Sequence, residues 1–294
     1  MTRLPQIAML PDGRRLHLQD GPIDLIIEAR GSEENVRAAY QAAARRFTGL
    51  LDELCEELAE LRKAADALRC GLQGIVARRM YDAVAPYAAG HFITPMAAVA
   101  GAVAEEILAA MLSAAPLDRA FVNNGGDIAL HLARGEHFTV GMVDRPDRPG
   151  LMRTTVIESG DPARGIATSG RHGRSFSLGI ADAVTVLART ASQADAAATI
   201  IANAVDLPGH PAVLRCPANE LQPDSDLGAR LATRQVGTLD DPEIASALAA
   251  GAGKARKLLA DGLIERAALR LHGETRIVAP GATSRGSTRE KVMS

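Results

Sequence analysis

The sequence predicts an α+β fold in which one or more mainly antiparallel sheets pack with long helices. Apolar or alanine positions recur every three to four residues across about 33–68, among Glu, Arg and Lys, and this is the period of an amphipathic helix. In the middle of the chain the pattern changes to short apolar segments separated by turn residues, which is typical of strands. Alternating polar and apolar positions across 128–143 favour a sheet with one covered face.

The predicted elements follow one another without a linker long enough to separate independent domains. The first part contains strands at 6–10 and 14–18 around a Pro11-Asp12-Gly13 turn, a strand at 24–29, and helices at about 33–68, 71–88 and 94–113. The rest contains strands at 120–122, 128–132, 137–143, 153–157, 165–168 and 183–188, a helix at about 192–204, strands at 212–215 and 233–236, a helix at about 241–259 and a strand pair within 262–278.

Two further expectations concern the connections. Arg134-Gly135 predicts a hairpin between the strands at 128–132 and 137–143. We expect residues 1–279 to form one unit, either undivided or as two intertwined lobes, and residues 280–294 to form a frayed polar tail.

The composition excludes several classes of function. The 294 residues carry 33 basic and 35 acidic side chains, a net charge of −2, so nothing indicates a nucleic-acid partner. The three cysteines are too few and too scattered for a disulfide framework, and we expect small buried side chains in a reducing compartment. Residues 1–7 lack the order of a signal peptide, and Glu105 and Glu106 interrupt the apolar stretch 96–115. We therefore expect a cytoplasmic protein without a membrane partner, compatible with a homodimer.

Residues 121–128, Phe-Val-Asn-Asn-Gly-Gly-Asp-Ile, place two amides, two glycines and a carboxylate between apolar segments. Paired glycines let the backbone turn tightly or approach a ligand closely. Two interpretations remain open. One is a ligand cleft lined by Asn123, Asn124, Gly125, Gly126 and Asp127. The other is an ordinary turn rich in Asn and Asp between two strands.

A polar loop is predicted at 168–175, Thr-Ser-Gly-Arg-His-Gly-Arg-Ser. Backbone amides and arginine side chains suit a pyrophosphate, so Thr168, Ser169, Gly170 and Arg171 are candidate cofactor-binding residues. The spacing is not that of a P-loop, and no GxGxxG sequence opens a helix. The alternative is a solvated loop with surface arginines.

Asp195 and Thr199 are four residues apart on a predicted helix and therefore share one face. Their oxygens could supply two ligands to Mg²⁺, which takes few protein ligands and keeps water or phosphate in its other positions. The alternative is a variant capping box in which Ser192 and Asp195 stabilise the start of the helix. A capping acid can still turn one oxygen outward, so both interpretations can hold together.

Four motifs in order resemble those of the ApbE superfamily. They are Asn123-Asn-Gly-Gly-Asp-Ile, Gly141-Met-Val-Asp-Arg-Pro, Ile166-Ala-Thr-Ser-Gly and Ala194-Asp-Ala-Ala-Ala-Thr, and they cover about 120–205. The family patterns are N-x-G-G-D-I, G-I-x-D-P, A-x-x-T-S-G and A-D-A-L-A-T. Residues 94–101 add the signature Thr-Pro-Met-Ala-x-Val-Ala-Gly, which a branch of ApbE-like proteins of bacteria and archaea shares.

The resemblance implies a flavin-related function on an ApbE-like α+β fold. The superfamily contains FAD:protein FMN transferases, once described as thiamine-biosynthesis lipoproteins. It implies FAD or FMN as cofactor, and Mg²⁺ held beside the FAD pyrophosphate by the residues that match Asp195 and Thr199. It also implies an acceptor protein, because the transferases attach FMN to a threonine of a target protein.

Two departures from the family pattern point to altered chemistry. The counterpart of a K-G-Y-A-V-D segment is 100–105, which has no lysine, and the H-I-I-D-P block is absent. His172 and Asp182 remain as candidates for a catalytic role. Three hypotheses follow: a Mg²⁺-dependent enzyme that transfers FMN or cleaves an FAD-type pyrophosphate, a non-catalytic flavin or nucleotide-binding protein, and an enzyme acting on a different heterocyclic cofactor on the same scaffold.

Overall fold

The computed structural model describes residues 4–143, 151–173 and 175–281. Its strands are β1 (Gln6–Met9), β2 (Leu16–Asp20), β3 (Ile23–Arg30), β4 (Arg119–Asn124), β5 (Asp127–Leu132), β6 (His137–Val143), β7 (Leu151–Glu158), β8 (Gly165–Ser169), β9 (Ala183–Ala188), β10 (Val213–Pro217), β11 (Leu231–Val236), β12 (Arg266–Leu271) and β13 (Glu274–Val278). Its helices are α1 (Glu33–Phe47), α2 (Leu50–Glu56), α3 (Leu58–Leu61), α4 (Ile75–Ala88), α5 (Val99–Ala114, after a 3-10 turn at Pro95–Ala98), α6 (Ala191–Ala204), α7 (Ala218–Leu221) and α8 (Asp241–Ala260).

One antiparallel sheet of nine strands dominates the described residues, in the order β1-β2-β3-β4-β5-β8-β9-β12-β13. Two further pairs, β6-β7 and β10-β11, form separate two-stranded sheets. Alternate residues of β2 and β3 are buried, and Leu18, Leu25 and Ile27 are fully covered, because this face packs in the main core with the helices. The predicted α+β class with a mainly antiparallel sheet is confirmed.

The long helix predicted across 33–68 is wrong in its extent. It is divided into α1, α2 and α3, and the first break lies at Thr48 and Gly49. Gly49 has a φ of 85°, a left-handed conformation that ends a right-handed helix and that glycine adopts without a steric penalty. The apolar period continues through the break, and therefore the sequence pattern does not reveal it.

The hairpin predicted between the strands at 128–132 and 137–143 is also wrong. Strand β5 pairs with β4 on one edge and with β8 on the other, so it has no edge left for β6. Strand β6 pairs instead with β7, with His137 opposite Glu158. The backbone N–H of Gly135 donates to Ser159 Oγ at 3.0 Å, which ties the intervening turn to the end of β7.

The cysteines differ from expectation as well. All three are free; Cys55 and Cys70 are exposed and Cys216 is partly buried, whereas buried side chains were expected.

The predicted tail at 280–294 lies outside the described residues from 282 onward.

Among the described residues, one stretch is long and apolar enough to cross a membrane by length and composition, Pro95–Ala114, with a hydropathy of 1.6. This stretch is the 3-10 turn and α5, which pack against α1, α6, β4 and β5. Ala102, Val103 and Ile107 of α5 are fully buried in the main core. The helix therefore has the packing of a core helix.

Glu106 brings a charge into this core helix, with its side chain only 10% exposed. It accepts hydrogen bonds from Arg46 Nε at 2.6 Å and Arg79 Nη1 at 2.9 Å. Burial raises the pKa of Glu106, but the bonds from the two arginines outweigh burial and hold the pKa below its ordinary value. The stabilisation is therefore present above the ordinary carboxyl pKa and is lost as the pH falls through the lowered pKa.

We predict that Glu106→Gln lowers the free energy of unfolding by about 3 kcal/mol at pH 7, because two arginines lose their buried partner. The deficit should shrink below about pH 4, where the parent carboxyl group is protonated as well. Urea unfolding at several pH values measures both effects. Glu53→Gln is the matched control, because Glu53 shares Arg46 but is 52% exposed, and it should cost less than about 1 kcal/mol. Equal losses in the two variants would contradict the assignment.

Candidate functional site

The Asn-Asn-Gly-Gly-Asp segment is the tight turn that joins β4 to β5. Asn124 lies opposite Asp127, so Gly125 and Gly126 are the two turn residues, with φ values of 65° and 116°. Both values are positive, and a two-residue hairpin of this type favours glycine at both positions. The backbone N–H of Gly126 donates to Asn123 Oδ1 at 2.8 Å. The segment is therefore a hairpin turn, and its side chains decide what else it does.

Asn124 and Asp127 connect this turn to two other elements. Asn124 is buried and its Nδ2 donates to the carbonyl of Ala100, at the start of α5, at 3.2 Å. Asp127 Oδ1 accepts the backbone N–H of Thr168, at the end of β8, at 3.1 Å. The turn is thus bonded to the first turn of α5 through Asn124 and to the end of β8 through Asp127.

Asp195 reaches the same place from α6. Its Oδ2 accepts the backbone N–H of Gly101 at 3.1 Å, and the N–H of Ala100 also donates to this carboxylate. Both N–H groups belong to the first turn of α5, where helical N–H groups lack intrahelical partners. Asp195 therefore caps α5, a different helix from the one that carries it.

The predicted capping box of Ser192 and Asp195 is wrong. Helix α6 begins at Ala191, and its N-cap is Thr190, whose side chain accepts from the N–H of Gln193 at 3.3 Å. The N–H of Ser192 donates to Glu105 Oε1 of α5 at 2.6 Å. Each of the two helices therefore supplies a carboxylate to the first turn of the other.

Gly101 makes this exchange possible. A Cβ atom at this position would lie 2.3 Å from the carbonyl oxygen of Ala191, far closer than atoms pack. Only a residue without a side chain lets the start of α5 approach the start of α6 so closely. Gly101 and Glu105 were not among the predicted site residues. The sequence feature that could have identified Gly101 is its position as the last residue of the Thr-Pro-Met-Ala-x-Val-Ala-Gly signature.

The carboxylates of Asp127 and Asp195 interact electrostatically. Burial raises the pKa of Asp195 well above the usual range of a carboxyl group, and the negative charge of Asp127 raises it further. The N–H groups of Gly101 and Ala100 act in the opposite direction and do not cancel the shift. Asp127 and Asp195, the carboxylate pair, are therefore close enough to interact electrostatically.

Thr168 donates its backbone N–H to Asp127, and Thr199 follows Asp195 on α6. Thr199 is partly exposed and one turn after Asp195 on α6, as predicted. Thr168 and Ser169 are the last residues of β8 and not part of a loop, which corrects the predicted loop boundary. Thr168 is exposed, and its hydroxyl lies 2.9 Å from that of Thr185 on β9.

Residues 170–172 lead away from β8 toward Asp182. Gly170 is buried, and a Cβ atom there would lie 2.6 Å from the carbonyl oxygen of Asp182. Arg171 donates to Asp182 Oδ1 from Nε at 2.8 Å and Nη2 at 2.5 Å, and His172 Nε2 lies 3.5 Å from the same oxygen. The backbone N–H of His272 donates to Oδ2 at 2.6 Å. Asp182 is thus the common partner of the Arg171 guanidinium and the His172 ring.

The candidate site offers few metal-binding atoms, and these are carboxylate and hydroxyl oxygens. Across residues 4–143, 151–173 and 175–281, no group of three or more His, Cys, Asp or Glu side chains could hold a metal ion. Two carboxylates and a threonine hydroxyl suit an ion that completes its coordination with water and phosphate oxygens. The sequence pattern alone did not place Asp127 beside Asp195.

Residues 7–277 match the family described as AbpE bacteria. The UPF0280 protein MK0206 of Methanopyrus kandleri is 44% identical over 129 residues, which are 44% of this chain and 48% of that protein. The UPF0280 protein of Methanothrix thermoacetophila is 39% identical over 113 residues, 38% of this chain and 46% of that protein. The chain spans about half the length of the curated relatives it matches.

Solved structures show a distant likeness. A mutant of the flavin transferase ApbE from Vibrio cholerae has a TM-score of 0.48 and 13% identity, covering 91% of this chain and 98% of its own. The apo form of the Pseudomonas stutzeri flavinyl transferase ApbE has a TM-score of 0.47 and 10% identity, covering 93% of this chain and 94% of its own.

The motifs and the family match define an α+β protein of the ApbE type. The chain belongs to the AbpE family of bacteria, which matches most of its length. The resemblance to the ApbE superfamily found in the sequence is thereby confirmed.

We predict that Gly101→Ala destabilises the protein by about 2 kcal/mol or more, because the methyl group displaces the start of α6. Gly253→Ala in α8 is the matched control, since the nearest atom to its Cβ is the end of the Arg256 side chain at 3.9 Å. Alanine there should stabilise the helix by about 0.5–1 kcal/mol. Chemical denaturation measures both values; a Gly101→Ala protein as stable as the parent would disprove the close approach of the two helices.

Proposed function

We propose that this chain binds a flavin nucleotide, FAD or FMN, beside the carboxylate pair and uses Mg²⁺ to act on an FAD-type pyrophosphate. The observation that carries the proposal is that the β4–β5 turn and α6 meet at one place: Asn124 of the turn donates to the carbonyl of Ala100, and Asp195 of α6 accepts the N–H of the neighbouring Gly101. The flavin is inferred from the resemblance to the ApbE superfamily, and the same resemblance supports an acceptor protein as partner.

The residues present fit Mg²⁺. Asp127 and Asp195 each use one carboxylate oxygen to accept a backbone N–H, from Thr168 and Gly101 respectively, and this fixes the side chains in place. Asp127, Asp195 and Thr199 would hold the ion with oxygen atoms alone, which is the chemistry that Mg²⁺ prefers. A divalent cation held by these residues would offset the negative charge of Asp127, which together with burial raises the pKa of Asp195.

The chain's own residues supply positioning at this site. The carboxylates are held by the first turn of α5 and by β8, so they need not reorganise when a ligand arrives. When bound, Mg²⁺ neutralises negative charge on pyrophosphate oxygens. Exposed Thr168 and half-buried Ser169, at the end of β8, would line the approach to the ion.

One observation favours a second function, a flavin or nucleotide-binding protein without catalysis. The guanidinium of Arg171, a candidate ligand for the pyrophosphate, is bound to Asp182 instead. His172 Nε2 lies 3.5 Å from the same carboxylate, so both side chains are engaged with Asp182. Turnover and binding therefore have to be measured separately.

We expect Mg²⁺ to raise the melting temperature of the parent protein and to have little effect on Asp127→Asn or Asp195→Asn. The reason is that each variant removes one of the two charges that attract the ion. A titration with MgCl₂ followed by differential scanning calorimetry measures the effect. Asp52→Asn, at an exposed position of α2, is the control and should respond like the parent. Equal responses of all four proteins would contradict the metal site.

In the absence of Mg²⁺, Asp195→Asn should melt a few degrees higher than the parent at neutral pH. The pKa of Asp195 is raised in the folded state, so the folded protein favours the protonated form. The stabilisation that comes from the protonated carboxyl group is lost as the pH rises from the ordinary carboxyl pKa through the raised pKa. The variant has no titrating group at this position, so it does not lose this stabilisation. Melting curves from pH 4 to 8 should show the difference growing with pH; a constant difference would contradict the raised pKa.

Incubation of the purified chain with FAD and MgCl₂ separates the hypotheses. Release of FMN, or covalent flavin on an added acceptor protein, supports the transferase or pyrophosphate-cleaving activity, and Asp195→Asn should abolish it. Saturable FAD binding without turnover supports the binding protein. Absence of FAD binding by a folded protein overturns the flavin proposal and leaves another heterocyclic cofactor.

A further inference from the structure

A cavity lies away from the carboxylate pair, between the β1–β2 hairpin and α1. Its volume is about 710 Å³, within the range of about 300–1,000 Å³ typical of small-molecule sites. The apolar part of its wall is made by Ile7, Met9, Leu16, Val36, Tyr40 and Ala44.

This cavity is at the opposite end of the sheet from the Gly125-Gly126 turn. In the pairing of β3 with β4, Leu25 lies opposite Asn124, next to that turn, whereas Arg30 lies opposite Arg119 at the other end. Arg30 and its neighbour Ala29 line the cavity. A ligand here would therefore occupy a site separate from the proposed flavin site.

Strand β1 has an apolar face that no helix of the described residues covers. Ile7 lies opposite Leu18 and Met9 opposite Leu16, and residues directly opposite in a sheet share one face. Leu16 and Leu18 are buried, but Ile7 and Met9 are 45% and 47% exposed. Helix α1 covers β2 and β3 and leaves a groove along β1.

The groove is preformed. The hydroxyl of Tyr40 in α1 donates to the carbonyl of Arg14 at 2.6 Å and accepts the N–H of Ala29 at 3.1 Å. These bonds tie the hairpin, α1 and β3 together beside the cavity. Burial raises the pKa of Tyr40, so the hydroxyl keeps the proton that it donates.

The rim of the groove carries more positive than negative groups. Arg14, Arg30 and Arg37 line it together with Glu28 and Glu33. Arg30 Nε lies 3.6 Å from Glu28 Oε1. Within the described chain, no carboxylate comes within ion-pair distance of the exposed Arg14 or Arg37 side chains. An arginine guanidinium offers paired N–H donors that match a carboxylate or a phosphate.

We propose that this groove binds an anionic amphiphile, with its apolar chain along Ile7, Met9 and Val36 and its carboxylate or phosphate at Arg14 and Arg37. Charge complementarity at the rim favours an anionic headgroup over a neutral one, and the uncovered apolar wall favours an apolar chain. A second copy of the chain and a partner peptide are the competing occupants.

Isothermal titration calorimetry of the full chain with dodecanoate, dodecyl phosphate and dodecanol tests the proposal. We expect one saturable site for an anionic ligand and binding of dodecanol at least about tenfold weaker. Tighter binding of dodecanoate identifies a carboxylate headgroup, and tighter binding of dodecyl phosphate identifies a phosphate ester. Absence of saturable binding by both anions overturns the proposal.

Variants separate the two parts of the groove. Ala44→Phe fills the cavity and should weaken all three ligands by more than about tenfold. Arg14→Gln combined with Arg37→Gln changes only exposed side chains, so it should fold, and it should weaken the anions alone. Arg45→Gln, on the same helix and outside the cavity lining, should change nothing.

Two results would overturn the proposal even if ligand binds. The first is anion binding that the arginine double variant leaves unchanged. The second is a dimer in light scattering that Ile7→Lys converts to a monomer, since the groove would then be covered by a second copy.

Discussion

The contact between the start of α5 and the start of α6 is the constraint on which the site depends. Without a side chain at Gly101, the two helix starts come close enough for Glu105 to accept an N–H from α6 and for Asp195 to accept one from α5. The exchange satisfies orphan N–H groups of both helices and places two carboxylates at their positive ends. The same contact fixes where Asp195 stands relative to the β4–β5 turn.

Asp195 consequently has a structural role as the cap of α5, and the metal-binding role proposed for it would use the same carboxylate. As a cap it stabilises α5, but burial and the negative charge of Asp127 both raise its pKa. Such a group costs stability in the empty protein and gains it back when a cation binds. Proteins commonly accept a local cost of this kind at functional sites.

The local parts of the site could be predicted from the sequence. Paired glycines between apolar segments indicate a turn, and a spacing of four places Asp195 and Thr199 on one helical face. The long-range parts could not. The bond from Gly101 to Asp195 joins residues 94 apart, and no period in the sequence records it. The N-cap of α6 was misplaced for the same reason: Asp195 uses its capping carboxylate on α5, while Thr190 caps α6.

Strand pairing failed for a related reason. Arg134-Gly135 has the chemistry of a hairpin turn, but whether two neighbouring strands pair depends on which edges are free after the whole sheet has formed. Strand β5 gives both edges to β4 and β8, and this is what brings Asp127 to Thr168. The hairpin predicted at Arg134-Gly135 and the observed site could not both exist.

The separation of β6 and β7 from the main sheet divides the apolar interior unequally. Ile157 and Phe138 join a small cluster with Leu130, Leu132, Ile166 and Leu187, distinct from the large core beneath the helices. A two-stranded ribbon is marginally stable without such support. Its amide protons should therefore exchange with solvent through local openings that leave the nine-stranded sheet intact, so this protein would unfold in two steps of different free energy.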